Sequence, residues 1–390
     1  MKHSFFRAAL ILGLLSAVAP FGIDMYLPAL PDIGRSLGAS ISAVQASLMA
    51  YFIALGAGQL IYGPVADQLG RKPPLYFGLL LFGCGSVGCA LANDIHSLVV
   101  MRFIQGLGAC ACTVIPRAIV RDLYTGPDAL RLMSTLMLVF SVSPILAPLA
   151  GSIMIDAWGW HSVFWFMTVV SIVGLTLIYQ WLHETREAEH RQTSSWGQAL
   201  QGYLTLLRDR HFLGLVFIGS FGIASFFAYL ANSSFVLIEH YGLTPRQYSI
   251  VFASNAASFI GMSQLTGQLG KRFGLIPMVR FASHAYAAIM ALLLLFMSLG
   301  LQQLPLLLVL LFVGYGFLGL IIPTTAILAL EDHGAIGGTA SALMGTLQFA
   351  TGAVVMAIVG RFVDGTALPM VAGIALSALV SWALVRGTLR

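Results

Sequence analysis

Apolar runs of roughly twenty residues recur along this 390-residue chain, and a run of that length is what a helix needs to cross a bilayer. Scanning for them gives spans near 7–30, 42–64, 74–93, 97–120, 132–156 and 161–182, then 211–235, 247–270, 276–299, 304–330, 336–362 and 367–386. Hydrophobic residues make up 58% of the chain and charged ones 9%, where a soluble domain carries roughly 25% charged residues. The expected fold is therefore an all-α membrane protein of twelve transmembrane helices, six plus six. Its organisation reads as a six-helix bundle over 1–182, a charged cytoplasmic linker over 183–210 and a second bundle over 211–390. The linker holds Glu184, Arg186, Glu187, Glu189, Arg191, Arg208, Asp209 and Arg210, the only long charged connection.

The ends and the charges fit the same picture. Lys2 and Arg7 ahead of an apolar run, with Ala17-Val18-Ala19 behind, mimic a signal peptide. The run continues to Leu30 and many similar spans follow, so it reads as an uncleaved first helix. The net charge of +5 is spread over loops, which speaks for positive-inside topology rather than a nucleic-acid partner. With the N-terminus in the cytoplasm, sixteen of the twenty Lys and Arg residues lie on that side. Arg35, Arg246 and Arg361 lie outside, and Arg102 lies within a span. Both termini are expected in the cytoplasm. Cys84, Cys89, Cys110 and Cys112 all fall inside apolar runs and read as small buried hydrophobes, not as disulfides or zinc ligands.

Between the second and third spans, residues 63–73 read Gly-Pro-Val-Ala-Asp-Gln-Leu-Gly-Arg-Lys-Pro. Gly63 and Gly70 suit close helix packing and a sharp reversal, and Asp67 precedes the bases Arg71 and Lys72. A weaker echo, Gly267-Gln-Leu-Gly-Lys-Arg-Phe-Gly274, lies 204 residues after Gly63, with Lys271 where Asp67 stood. That is the internal repeat of a two-bundle transporter, pseudo-symmetric and with its substrate between the halves.

The 63–73 segment resembles the loop between helices 2 and 3 of the major facilitator superfamily. Other segments narrow the resemblance: Asp24-Met-Tyr-Leu-Pro-Ala-Leu-Pro31, Gly58-Gln-Leu-Ile-Tyr-Gly63, Arg102-Phe-Ile-Gln-Gly-Leu-Gly108 and Arg117-Ala-Ile-Val-Arg-Asp122. So do Ser143-Pro-Ile-Leu-Ala-Pro-Leu-Ala-Gly151, Trp158-Gly-Trp-His-Ser-Val-Phe164 and Gly337-Gly-Thr-Ala-Ser341. Together they are similar to the Bcr/CflA group of drug:proton antiporters, of the bicyclomycin and chloramphenicol resistance type. The likeness is nearly continuous through the first half and thinner in the second. In the fifth span, Pro144, Pro148 and Gly151 stand where that superfamily's antiporters tend to show Gly-Pro-x-x-Gly-Gly. Small residues and a proline kink are kept.

Charges inside a bilayer are costly, on the order of 2.5–3.5 kcal/mol each by insertion scales, and so usually serve function. Asp24 and Arg102 are the two clear cases, at similar depth toward the outer face, and they are the candidate proton-coupling pair. The competing reading has Asp24 snorkelling to the interface and Arg102 tied to backbone carbonyls. The resemblance implies a gate latch in which Asp67 caps the helix beginning at Gly337 and Gly338. Arg71 then meets Asp122 at the end of the fourth span, near Arg121. The plainer alternative is a solvated loop that only sets topology.

Tyr26, Tyr51, Gln59, Phe226, Phe227, Tyr229, Asn232, Asn255 and Gln348 are candidates for an amphipathic substrate pocket. Each can equally serve as a bond between helices. No HExxH, GxSxG or GxxxxGK[ST] motif occurs, so a membrane enzyme or an ATP-driven pump is not expected, nor any cofactor or metal. The resemblance implies a bacterial inner-membrane, monomeric, proton-coupled efflux antiporter for small amphipathic antibiotics. A metabolite exporter of the same fold, for amino acids, nucleosides or sugars, is the alternative.

Overall fold

The computed structural model describes residues 5–186 and 196–389. Lys2, Glu187, Glu189, Arg191 and Arg390, which entered the charge argument, lie outside the described residues. Among the described residues there is no β-strand. The chain forms α1 (Phe5–Asp24), α2 (Leu30–Ser36), α3 (Ile41–Leu69), α4 (Lys72–Ala90), α5 (Ile95–Leu123), α6 (Gly126–Trp158) and α7 (His161–Trp181). It continues with α8 (Trp196–Arg208), α9 (Arg210–Ser234), α10 (Pro245–Phe273), α11 (Leu275–Ser298), α12 (Leu304–Glu331), α13 (Gly337–Gly360) and α14 (Leu368–Thr388).

Eleven of these segments are long and apolar enough to cross a membrane, α1 and α2 counting as one 32-residue stretch. The twelfth expected span, 247–270, is present as the 29-residue α10 but falls short on hydropathy. Gln247, Ser249, Ser254, Asn255, Ser258, Ser263, Gln264, Thr266 and Gln268 interrupt its apolar sequence. At 1.5 Å per residue it extends about 44 Å, ample for a hydrocarbon core of about 30 Å.

Two expectations need correction. The 183–210 connection is not simply a charged linker, because Trp196–Arg208 folds into α8 and Asp209 caps α9 by accepting from the His211 and Phe212 amides. Cys84 is exposed on α4, unlike the buried Cys89, Cys110 and Cys112.

The chain clusters into two compact units, Met1–Ala39 with Ala46–Gln201, and Ser40–Gln45 with Gly202–Arg390. In the first unit α1 packs on α5, α6 and α7, and α4 packs on α5 and α7. In the second, α9 packs on α12, α13 and α14, and α11 packs on α12 and α14. These pairings correspond between the two units, the pseudo-symmetry of two six-helix bundles, and in the second unit α10 also packs on α12.

Bare backbone provides much of the packing within each unit, as in helix pairs that lack a hydrophobic driving force in lipid. A Cβ at Gly108 would overlap the Phe82 amide nitrogen and the Gly78 carbonyl, which ties α5 to α4. In the second unit a Cβ at Gly319 of α12 would meet the Phe259 carbonyl of α10. Large apolar side chains such as Phe77, Ile172, Leu295 and Val354 stay exposed, as a lipid-facing surface requires.

The repeated loop closes each unit's second spanning helix in one way. Gly70 follows α3 at φ 92° and Gly274 follows α10 at φ 85°, conformations that exclude side chains far more than glycine. Gly63 and Gly267, the other echoed pair, meet nothing within 4 Å of a built Cβ. The close packing expected of Gly63 is therefore not present; it lies in the interior of α3 with open space beside it.

Candidate functional site

In the first unit the chemistry gathers around Arg102. The α5 register, set by Asp94 accepting from the Ser97 amide at the helix start, brings Arg102 inward until its exposure is 0%. One terminal nitrogen donates to the Gly22 carbonyl at 2.9 Å and to Oε1 of Gln105 at 2.6 Å. The guanidinium lies between the rings of Tyr26 and Tyr51, 4.4 and 4.2 Å from their centroids. Desolvated cation–π contacts of this kind contribute about 2 kcal/mol or more. Gln105 extends the thread, donating to Oγ of Ser86 at 2.8 Å.

Asp24, the last residue of α1, is the one buried acid among the described residues, 5% exposed. It makes no ion pair with Arg102 among the described residues, which corrects the expected pairing. Arg102 is held instead by backbone and aromatic rings, the backbone tie being the competing reading. Gln105 was not singled out from sequence, although it lies one helical turn after Arg102. Tyr26 and Tyr51 are fully buried as walls of the Arg102 cage and so do not face an open pocket. Tyr26 shares a hydrogen bond with Ser47, and the Tyr51 hydroxyl donates to the Ala19 carbonyl. Gln59 is half-buried on α3. Gly151 of α6 meets the Met25 carbonyl, so α6 seats against the end of α1 beside Asp24. Pro144 and Pro148 both lie within the continuous α6.

A second cluster of the same unit forms around the 63–73 loop. Arg71 is buried and bonds Asp122 through Nε at 2.7 Å and through a terminal nitrogen at 3.3 Å. Its other terminal nitrogen bonds Asp67 at 2.7 Å, so the meeting of Arg71 with Asp122 expected from sequence is present. Glu184, beyond α7, is an unforeseen member. It accepts from the Arg71 and Lys72 amides at 2.8 and 3.1 Å, satisfying donors at the start of α4. A Cβ at Gly70 would come within 2.6 Å of its Oε2, a second reason for glycine there. Arg121 points away, donating to the Arg117 carbonyl at 3.4 Å.

In the second unit, Phe226, Tyr229, Phe252 and Tyr315 form an aromatic cluster with centroid separations of 5.5–6.3 Å. Asn255 donates to the Tyr229 hydroxyl at 3.0 Å. Asn232 accepts from Gln45 at 2.8 Å and donates to the Ala228 carbonyl, so it bonds helices rather than standing free. Phe227 stacks on Phe349 and fills the space over Gly352, which makes it packing between α9 and α13 and not a pocket wall. Gln348 is half-buried near Gly219. Gly337 opens α13 after the turn Gly334–Ile336, and neither it nor Gly338 meets another atom within 4 Å of a built Cβ. Sequence pattern did not single out Phe252 or Tyr315, since a Phe or Tyr in an apolar run carries no spacing signal of its own.

Residues 12–356 match the family model described as Major Facilitator Superfamily. The chain belongs to that superfamily. It is similar to the uncharacterized MFS-type transporter YdgK of Bacillus subtilis (strain 168), 36% identical over 374 residues, 95% of this chain and 92% of that protein. The bicyclomycin resistance protein homolog of Haemophilus influenzae is 30% identical, again over 95% of this chain and 92% of the relative. Multidrug resistance protein D of Escherichia coli (strain K12) is 29% identical over 87% of this chain and 84% of its own length. These relatives place the chain in the Bcr/CflA drug-efflux group. Among solved structures, a D-xylose-proton symporter shares the fold at TM-score 0.74, with 16% identity and 97% of each chain covered. The protein is a multi-pass membrane transporter of small molecules and not an enzyme.

Proposed function

We propose that this transporter is a proton-coupled multidrug antiporter that exports small amphipathic antibiotics by alternating access. In this reading it acts as a monomer in a bacterial inner membrane, with both termini in the cytoplasm. The observation that carries the reading is Asp24. It is a buried acid at the end of α1, two residues from the carbonyl that Arg102 holds, with no ion-pair partner among the described residues. A carboxyl kept inside a span is costly unless it serves a purpose, and reversible protonation is the purpose open to it. Arg102 is held through one terminal nitrogen by Gly22 and Gln105 and lies against two rings, while its Nε and other terminal nitrogen have no hydrogen-bond partner among the described residues, so its charge is not neutralised.

The Asp67–Arg71–Asp122 cluster with Glu184 is a charged lock on the loop between α3 and α4, suited to a gate that opens and recloses. The uncharged aromatic cluster of the second unit favours neutral or weakly charged substrates such as phenicols, as do relatives named for bicyclomycin and chloramphenicol resistance.

The test is antibiotic accumulation in efflux-deficient cells. Cells expressing the protein should accumulate several-fold less chloramphenicol than cells without it, and an uncoupler should abolish the difference. Unchanged accumulation across a broad antibiotic panel would overturn the drug reading in favour of a metabolite exporter.

A further inference from the structure

The aromatic cluster of the second unit contains one group that its own packing leaves unused. Tyr315 of α12 is fully buried, and its hydroxyl has no hydrogen-bond partner among the described residues. Three other fully buried tyrosine hydroxyls of this unit are engaged. Tyr229 accepts from Asn255, Tyr286 shares a 2.6 Å hydrogen bond with Ser225, and Tyr248 shares one with Ser233. A buried hydroxyl without a partner is unfavourable, and phenylalanine would fill the same space without that cost. Tyrosine at this position therefore provides something that folding does not use.

The surroundings limit what that can be. Phe226 lies 5.7 Å from the Tyr315 ring and Tyr229 lies 5.5 Å from it, with Phe252 stacked on Tyr229 at 6.0 Å. Tyr229, Phe252 and Tyr315 are buried, whereas Phe226 is half-buried, so Phe226 is the side chain an incoming ring can displace. None of these four residues is charged, and the side-chain nitrogen of Asn255 donates to Tyr229.

We infer that Tyr315 is a substrate-binding residue whose hydroxyl hydrogen-bonds the polar group of an uncharged aromatic substrate, with the substrate's ring taking the place of Phe226. The complementary ligand is an aromatic molecule bearing a carbonyl, nitro or hydroxyl oxygen. The inference rests on the drug-export reading and narrows its substrate class.

Tyr315→Phe removes a single oxygen and tests the inference directly. In proteoliposomes, the KM for chloramphenicol should rise about fivefold, the loss expected for one neutral hydrogen bond, with the maximal rate within about twofold of wild type. In detergent, the variant's Tm should equal or exceed that of the wild type. Tyr229→Phe, which strips a hydroxyl already bonded to Asn255, should instead lower Tm. An unchanged KM in Tyr315→Phe overturns the inference while leaving export intact. A lowered Tm in Tyr315→Phe overturns it by showing that the hydroxyl has a structural partner. A wild type that moves no chloramphenicol removes the export reading, and the inference falls with it.

Discussion

What a glycine does in this chain depends on what stands opposite it. Gly151 sits against the Met25 carbonyl and Gly108 against the α4 backbone, so either substitution forces helices apart. Gly63, though part of the most recognisable stretch of sequence, has open space beside it and an ordinary helical backbone. Gly151→Ala should therefore destabilise the protein by about 1–3 kcal/mol. Gly63→Ala should be neutral or stabilising by up to about 1 kcal/mol, and thermal unfolding of the purified variants distinguishes the two. This contrast marks a limit of the sequence. A motif names its glycines but not which of them touch a neighbour, because that depends on a partner helix remote in the chain. Asp24 and Arg102 were legible because charge is rare in apolar runs. Their separation was not, since the rings that occupy Arg102, Tyr26 and Tyr51, come from other elements. Tyr315 could be found only from its missing partner.

At the scale of elements, apolar length alone gives the spans, and their observed ends lie within six residues of those expected, the first helix breaking at Asp24 rather than running on to Leu30. The exception in character is α10, whose polar residues lower its hydropathy without shortening the helix. Between the halves, the charged stretch concealed α8, since the pattern Leu200, Leu204, Leu207 is brief and is preceded by residues of high polarity. Asp209 shows how that connection is pinned. Partial burial pushes its carboxyl upward, but hydrogen bonds from the Phe212 and His211 amides and from His333 outweigh this and hold it below the usual carboxylate range. Because the folded-state value is depressed, the stabilisation is complete above the unfolded value of about 3.9 and fades as pH falls below it. Asp209→Ala should destabilise by about 1 kcal/mol near neutral pH. The gap to wild type should close as pH drops from about 5 to about 3, as read by thermal unfolding across that range.

For the whole molecule, two sets of matching helix pairings follow from one sequence echo, Gly63 to Gly70 and Gly267 to Gly274. The halves keep the turn glycine and differ in charge: Asp67 and Arg71 in the first loop bind each other and Asp122, while Lys271 replaces the acid in the second. The chemically distinctive side chains are distributed just as unequally, with the buried acid and caged arginine in one unit and the aromatic cluster in the other. Asp24 is the proposed proton carrier. The most direct test reconstitutes wild type and Asp24→Asn in proteoliposomes and records proton flux with a pH-sensitive dye while chloramphenicol is added under an imposed pH gradient. Drug-dependent proton movement in the wild type and its loss in Asp24→Asn, with drug binding retained, is the predicted result. Equal drug-driven proton flux in both proteins would contradict it.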